Sequence, residues 1–297
     1  MDDLKRVEQE ADIGLELCQN GNLKEGIKHL QYAAERNNVH AIVNLGHAYK
    51  LYGNYEEAFK WTNIGASLGD KTAISNLAIM YRNAQGTECD VKKSVELSKK
   101  LIELGQIDEG YNGICCAYFY AKDQYQQDFY EGFKYALEGS NIIMKDEPQK
   151  CKRCETVVQL ALCYDFGKGT EVNKKEALKC YKYCMECGSG IGISLYNSAC
   201  IMAYDKDEEL HNINKAINYF QFACENDYTD GFYELGYLYQ TGKLVKKDLE
   251  YAKYCYSMAI RLGNGEQHYD DAIANLREIS NDLTDRVLSG KYCPIID

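Results

Sequence analysis

Proline is almost absent from this chain, in which Pro148 and Pro294 are the only two. Because proline disrupts helix interiors, its scarcity leaves long stretches free to be helical. No window approaches the roughly 18 uninterrupted apolar residues that a membrane-spanning helix needs. The polar N-terminal sequence MDDLKRVEQEADIG also lacks the apolar segment of a secretory signal. These absences predict a cytoplasmic protein with no membrane partner.

Positive charge is also in short supply, with 34 Lys and Arg against 45 Asp and Glu, a net charge of −11. Nucleic-acid binding requires clustered basic residues that neutralise phosphates, so the acidic balance argues against a nucleic-acid partner. Apolar residues make up 45% of the chain, which is enough to bury a core and excludes an intrinsically disordered protein.

A short block that ends in tyrosine recurs along the chain, with the pattern apolar, small or apolar, any, any, Tyr. Its copies are Leu45–Tyr49, Leu77–Tyr81, Ile114–Tyr118, Leu160–Tyr164, Cys200–Tyr204 and Leu235–Tyr239, after a degenerate copy at Ile13–Leu17. The last residues of successive copies lie from 32 residues apart, Leu17 to Tyr49, to 46 apart, Tyr118 to Tyr164. Periods of about 34 to 40 residues are typical of helical-hairpin solenoids.

A second segment follows each tyrosine block, with small and bulky residues at i, i+3 and i+7, one face of an amphipathic helix. These segments begin at Gly26, Ala58, Ser94, Gly132, Ala177, Ala216 and Ala252. Many are followed by glycine, which ends a helix readily because it adopts the left-handed conformation. The sequence therefore predicts seven helix-turn-helix units.

These units resemble the Sel-one-like repeat family, a relative of the tetratricopeptide repeats. In residues 230–263, LGYLYQTG, VKKD and AKYCYSMAIRLG match the family's LGxxYxxG, V-x-x-D and AxxWYxxAAxxG, with Cys255 at the family's tryptophan. The resemblance covers roughly residues 10–264. It implies an all-α, right-handed α-solenoid of about seven stacked repeats and a role as an adaptor or scaffold.

An irregular segment divides the predicted repeats into two sets. The sequence NIIMKDEPQK at 141–150 interrupts the pattern as an insertion or hinge between repeats at 1–140 and at 151–264. Residues 265–297 then form a capping helix and a tail, because Gln267–Ser289 is one long amphipathic pattern.

Four of the fourteen cysteines have zinc-like spacing, C-x2-C–x29–C-x2-C: Cys151, Cys154, Cys184 and Cys187. Helices at 154–166 and 174–187 of equal length would bring the two pairs level at the open end of a hairpin. Four thiolates there would bind zinc, the one cofactor that the sequence suggests. Free buried thiols are an alternative, because Cys184 occupies a core position of the repeat, and disulfides are another.

Catalytic motifs are missing, since the sequence has neither H-E-x-x-H nor G-x-S-x-G. We therefore predict that the protein is not an enzyme. The alternative is a metal-binding, redox or hydrolytic protein that uses the cysteine-rich hairpin at 151–187.

The remaining candidates lie on the first helix of each unit, which lines the concave face of a stacked array. Counted from the tyrosine anchors, they are Asn44, His47, Lys50, Asn76, Arg82, Gln159, Glu234 and Tyr237. Asn44 and Asn76 occupy equivalent positions and could hold an extended peptide by its amides, although ordinary exposed helix residues give the same pattern. We predict that a partner protein or peptide binds in this groove, with the protein serving as an adaptor or an immunity- or chaperone-like binder.

Overall fold

The computed structural model describes residues 2–151, 153–263 and 268–291, and their regular structure is entirely helical. The first nine α-helices are α1 (Asp2–Gln19), α2 (Leu23–Ala34), α3 (Val39–Leu51), α4 (Tyr55–Ser67), α5 (Lys71–Asn83), α6 (Val91–Glu103), α7 (Ile107–Tyr120), α8 (Phe129–Ile143) and α9 (Glu155–Phe166). The next seven are α10 (Lys174–Cys187), α11 (Ile191–Tyr204), α12 (Ile213–Glu225), α13 (Asp230–Thr241), α14 (Leu249–Leu262), α15 (Tyr269–Ile279) and α16 (Asn281–Leu288). The prediction of an all-α repeat fold is confirmed.

The chain divides into two units. Unit 1 holds the residues up to Asp146 together with Glu155–Val172, and therefore contains α1–α9. Unit 2 holds Glu147–Cys154 together with the residues from Asn173 onward, and contains α10–α16. The predicted insertion at 141–150 contributes the end of α8 and a 3-10 helix at Pro148–Lys150.

In unit 1 each helix packs against the next one along the chain, and the first helices α5, α7 and α9 also pack side by side. Small residues permit the close contacts. A Cβ atom on Gly46 of α3 would collide with Thr62 of α4, and one on Gly65 of α4 would collide with Ala73 of α5. Leu30, Ile42 and Leu45 are almost completely buried in the core at the start of this unit.

The recurring tyrosine packs between helices, as its position in the repeat predicts. Tyr81 of α5 makes an edge-to-face contact with Phe59 of α4, with ring centroids 5.4 Å apart. Tyr239 of α13 makes the same kind of contact with Tyr251 of α14 at 4.7 Å. These rings contribute apolar area to the helix interfaces and keep their hydroxyls near the surface.

Most second helices begin at a side chain that caps the first turn. Asn54 accepts a hydrogen bond from the main-chain N–H of Glu57, and Asp90 accepts one from that of Lys93. Asn173 caps α10 in the same way. Each cap satisfies an N–H group that lacks a partner inside the helix, which fixes where the helix starts.

The end of the described chain differs from the prediction of one capping helix over residues 267–289. Two helices, α15 and α16, pack against α14 instead. They are separated at Ser280, whose backbone is extended (φ −161°, ψ 103°) and whose side chain accepts a hydrogen bond from Leu283 N–H. The amphipathic pattern continues across this break, and it buries Leu276 and Val287. Residues 264–267 and 292–297, including the predicted tail, lie outside the described residues.

Candidate partner-binding surfaces

Four of the predicted groove residues lie on α3 and α5 in unit 1. Asn44, Lys50 and Asn76 are half-buried, and His47 is exposed. None of the four side chains makes a hydrogen bond or an ion pair within the described residues. Their polar groups are therefore available to a ligand.

Two further predicted residues, Arg82 and Gln159, meet in a polar cluster that spans α5, α7 and α9. The Arg82 guanidinium lies close enough to the Cys116 thiol to lower in part the pKa that burial raises, and its Nε donates a hydrogen bond to the Asn83 side chain at 3.1 Å. Gln159 accepts a hydrogen bond from the Tyr120 hydroxyl at 3.2 Å, and its amide nitrogen lies 4.0 Å from the Cys116 sulfur. We call Arg82, Cys116, Tyr120 and Gln159, together with the nearby Lys168, the Arg82 cluster.

The Arg82 cluster is positively charged. The Lys168 ammonium lies 5.7 Å from the centre of the Tyr120 ring. The Arg82 guanidinium is an electrostatic neighbour of the same tyrosine. Burial raises the pKa of the Cys116 thiol, and the neighbouring Arg82 lowers it in part. The thiol therefore stays neutral near neutral pH, and the two cations give the cluster its charge.

Glu234 of α13 lies in unit 2 and is held by two tyrosines of α11. Tyr204 donates a hydrogen bond to Oε2 at 2.8 Å, and Tyr196 donates one to Oε1 at 3.4 Å. Burial raises the pKa of the Glu234 carboxyl, an effect that the hydrogen bond from Tyr204 partly offsets. Burial also raises the pKa of both tyrosine hydroxyls, so they remain protonated donors.

His268 completes this arrangement. Its Nε2 lies 3.4 Å from the Tyr196 hydroxyl, and its ring stacks on Tyr233 with centroids 4.4 Å apart. Its Nδ1 is buried without a hydrogen-bond partner, and the nearest Asp271 oxygen is 3.7 Å away. Tyr237, one turn after Glu234, shares its helix face. We call Glu234, Tyr196, Tyr204, Tyr237 and His268 the Glu234 cluster.

The four cysteines of the predicted zinc site come together in unit 2, and we call them the thiol cluster. The Cys187 thiol donates to the main-chain oxygen of Cys151 at 3.3 Å, and the Cys184 thiol donates to that of Cys154 at 3.9 Å. The contact with Cys184 and burial raise the pKa of the Cys154 thiol. Burial and the contact with Cys154 raise the pKa of the Cys187 thiol.

The predicted zinc site depends on the positions of the metal-ligating side chains. No group of three or more His, Cys, Asp or Glu side chains among residues 2–151, 153–263 and 268–291 has a geometry that could hold a metal ion. The zinc site therefore stays a prediction from spacing.

Several residues of these clusters were not predicted from the sequence. Tyr204 is itself a repeat anchor, and the repeat pattern assigns an anchor tyrosine to packing between helices rather than to a binding site. Cys116 and Tyr120 lie near the anchor Tyr118, so their positions also indicated packing. His268 lies beyond the last repeat, and no pattern in the sequence connects it with Glu234.

The repeat pattern matches the model of a known family. The Sel1 repeat matches at six places, residues 14–38, 39–70, 72–106, 157–189, 193–228 and 233–264. This chain belongs to the Sel1 repeat family. The seventh predicted unit, near residues 109–140, is not among the matches, although α7 and α8 form a packed pair there. The Sel1 repeats thus include the first helices that carry Asn44, Asn76, Gln159 and Glu234.

One solved structure shows the same fold, and others are similar to a lesser degree. A Sel1 repeat protein from Oxalobacter formigenes is 21% identical, with a TM-score of 0.59 over 84% of this chain and 98% of that chain. A protective antigen of uropathogenic Escherichia coli with an SLR fold is 22% identical, with a TM-score of 0.41 over 97% of this chain and 70% of that chain. An immunity protein from Pseudomonas aeruginosa is 18% identical, with a TM-score of 0.42 over 70% of this chain and 74% of that chain.

Two further findings concern the chain as a whole. None of the curated proteins matches it. No helix in the described part of the chain is both long enough and apolar enough to cross a bilayer.

Proposed function

We propose that this Sel1 repeat protein is a non-catalytic scaffold that binds a segment of another protein along the exposed faces of its first helices. The observation that carries the proposal is the state of Asn44 and Asn76. They occupy the same repeat position on α3 and α5, they are half-buried, and their amides have no hydrogen-bond partner within the described chain. A side-chain amide can donate to and accept from the main chain of an extended peptide.

The Arg82 cluster extends this surface in unit 1. Its cations favour an acidic or carboxylate-bearing part of the partner, because a guanidinium pairs with a carboxylate through two parallel hydrogen bonds. The overall charge of −11 supports an immunity- or chaperone-like protein that captures a basic partner. Both features point to a partner with separate acidic and basic patches.

The properties of the thiols support a non-catalytic role. A nucleophilic cysteine needs a lowered pKa and partial exposure. The pKa is instead raised for Cys154 and Cys187, and also for the buried Cys115, Cys163 and Cys255, where burial is the principal cause. These thiols suit packing better than catalysis.

Affinity capture tests the proposal. We would immobilise the full chain, pass native cell extract over it, and compare the wild type with an Asn44→Ala, Asn76→Ala double variant and with Arg82→Ala. We expect one stoichiometric partner on the wild type and a loss of about tenfold or more on the variants. Asn63→Ala and Lys100→Ala are matched controls, because both residues are exposed on second helices, α4 and α6. Equal capture by the variants and the wild type would contradict the proposed surface.

A further inference from the structure

We propose that the Glu234 cluster of unit 2 binds a basic side chain, that of an arginine, from the partner protein. The inference rests on the proposed function and adds the chemistry of one specific contact. It is carried by three features of the cluster, namely an oriented carboxylate, the absence of a paired Lys or Arg among the described residues, and two tyrosine rings with no cation over them.

The carboxylate is fixed in place. Each oxygen of Glu234 accepts one hydrogen bond, at 2.8 Å from Tyr204 and 3.4 Å from Tyr196. A carboxylate oxygen can accept two, so each retains one free position. The residue is half-buried rather than enclosed, so a ligand can approach it from solvent.

Glu234 forms no ion pair with any Lys or Arg in the described parts of the chain, so no permanent cation there neutralises its carboxylate. The nearest group that can be cationic is His268, whose Nε2 meets the Tyr196 hydroxyl. His268 reaches the carboxylate through the Tyr196 hydroxyl, and its Nδ1 also lies 3.7 Å from an Asp271 oxygen, so Asp271 competes for any charge on the ring. A half-buried, unpaired carboxylate costs free energy that a cationic ligand would recover.

Two of the tyrosine rings near Glu234 have no cation over them. Elsewhere in the chain, basic side chains lie over tyrosine rings, as Arg36 does over Tyr32 at 3.7 Å. Tyr204, which is 42% exposed, and Tyr237 have no such cation among the described residues. A guanidinium could therefore pair with Glu234 and stack on a tyrosine face at the same time.

Arginine fits this site better than lysine. Its planar guanidinium presents parallel N–H donors that match the two oxygens of one carboxylate, and it stacks on aromatic rings. Lysine offers a single compact charge without that geometry. We therefore expect the site to discriminate between the two side chains as well as between charged and neutral ones.

A peptide titration tests the inference. The probe is an acetylated, amidated pentapeptide, Ala-Gly-Arg-Gly-Ala, and the control probe carries citrulline, the neutral isostere of arginine. Binding is followed through the NMR signals of carbon-labelled tyrosine rings in the full chain. We expect saturable shifts of the Tyr196 and Tyr204 signals with the arginine peptide and none with the citrulline peptide. Glu234→Gln should weaken binding by about tenfold or more, whereas Glu225→Gln, an exposed residue of α12, should change it by less than about twofold.

Tyr204→Phe is a second variant, which keeps the aromatic ring and removes one hydrogen bond to Glu234. Circular dichroism of each variant checks that it is folded. The absence of saturable shifts in the wild type, equal binding of the citrulline peptide, or unchanged binding to folded Glu234→Gln would each overturn the inference. If the peptide fails to bind while Asn44, Asn76 and Arg82 variants still lose the captured partner, only this inference falls. If the peptide binds and no partner is captured, the scaffold proposal falls instead.

Discussion

Asp108 on α7 caps the first turn of α9 by accepting two hydrogen bonds from Thr156. Its Oδ1 accepts the main-chain N–H of Thr156 at 2.8 Å, and the Thr156 hydroxyl donates to the main-chain oxygen of Asp108 at 3.0 Å. Its Oδ2 also accepts the N–H of Glu155 at 3.1 Å. Asp108 and Thr156 are both buried. Since α9 carries Gln159, this contact positions one end of the Arg82 cluster.

Asp108→Ala should therefore lower the free energy of unfolding by about 1–3 kcal/mol, because it removes the acceptor of the buried Thr156 N–H and of the half-buried Glu155 N–H. Urea denaturation measures this loss. Asp12→Ala, at an exposed position of α1, is the matched control and should change stability by less than about 0.5 kcal/mol. A loss at Asp108 no larger than that of the control would show that the cap is energetically unimportant.

Gly169 should be intolerant of any side chain. Its backbone is left-handed (φ +75°), and a Cβ atom there would collide with the main-chain oxygen of Phe129 at the start of α8. Gly105 shares the left-handed backbone (φ +80°) but has no atom within 4 Å of the added Cβ. We expect Gly169→Ala to cost about 2 kcal/mol or more and Gly105→Ala about 1 kcal/mol, measured by thermal unfolding. Equal costs would mean that the collision is relieved without strain.

The repeat, and the limits of the two helices in the cysteine-rich hairpin, could be predicted from the sequence, because spacing determines which face of a helix is buried. The predicted helices at 154–166 and 174–187 correspond closely to Glu155–Phe166 and Lys174–Cys187. The break at Ser280 could not be predicted from amphipathicity, since the apolar pattern continues through it. There the side chain of Ser280 caps a new helix, and this local interaction outweighs the periodicity.

The candidate sites could be predicted only in part. Position in the repeat selected Arg82, Gln159 and Glu234, because residues at a fixed distance from the anchor share a helix face. It could not select the residues that contact them. Tyr204 and His268 lie 30 and 34 residues from Glu234 in the sequence, and only the packing of the chain brings them together.

Glu234 should make stability depend on pH in a specific direction. Burial raises the pKa of its carboxyl in the folded protein, so the folded state holds this proton more tightly than the unfolded state does. The stabilisation is complete below the ordinary carboxyl pKa and is lost as the pH rises through the folded-state pKa. Glu234→Gln should therefore gain stability relative to the wild type between about pH 4 and pH 7.

Urea denaturation of both proteins across this pH range measures that gain. Glu225→Gln is the control, and its difference from the wild type should stay nearly constant because Glu225 is exposed. A Glu234→Gln difference that is equally flat would contradict the raised pKa.

The buried thiols should react slowly. Burial raises the pKa of Cys163 to about 12, and the pKa values of Cys154 and Cys255 are also raised. Only the thiolate reacts with iodoacetamide, so we expect these three to be labelled in the native protein at least about a hundredfold more slowly than after denaturation. Mass spectrometry of digested samples reads each site. Rapid labelling of Cys154 in the native protein would favour the redox or hydrolytic alternative, and labelling that becomes rapid only after a chelator is added would favour zinc.

Site-specific photo-cross-linking tests the central claim most directly. A photoreactive amino acid would be placed at His47 on the first helix α3 and, in a separate variant, at Ile64 on the second helix α4, since both side chains are exposed. After illumination in native extract, we predict that the His47 variant forms a covalent adduct with one partner protein and that the Ile64 variant does not. An adduct only from Ile64, or none from His47, would contradict binding along the first helices.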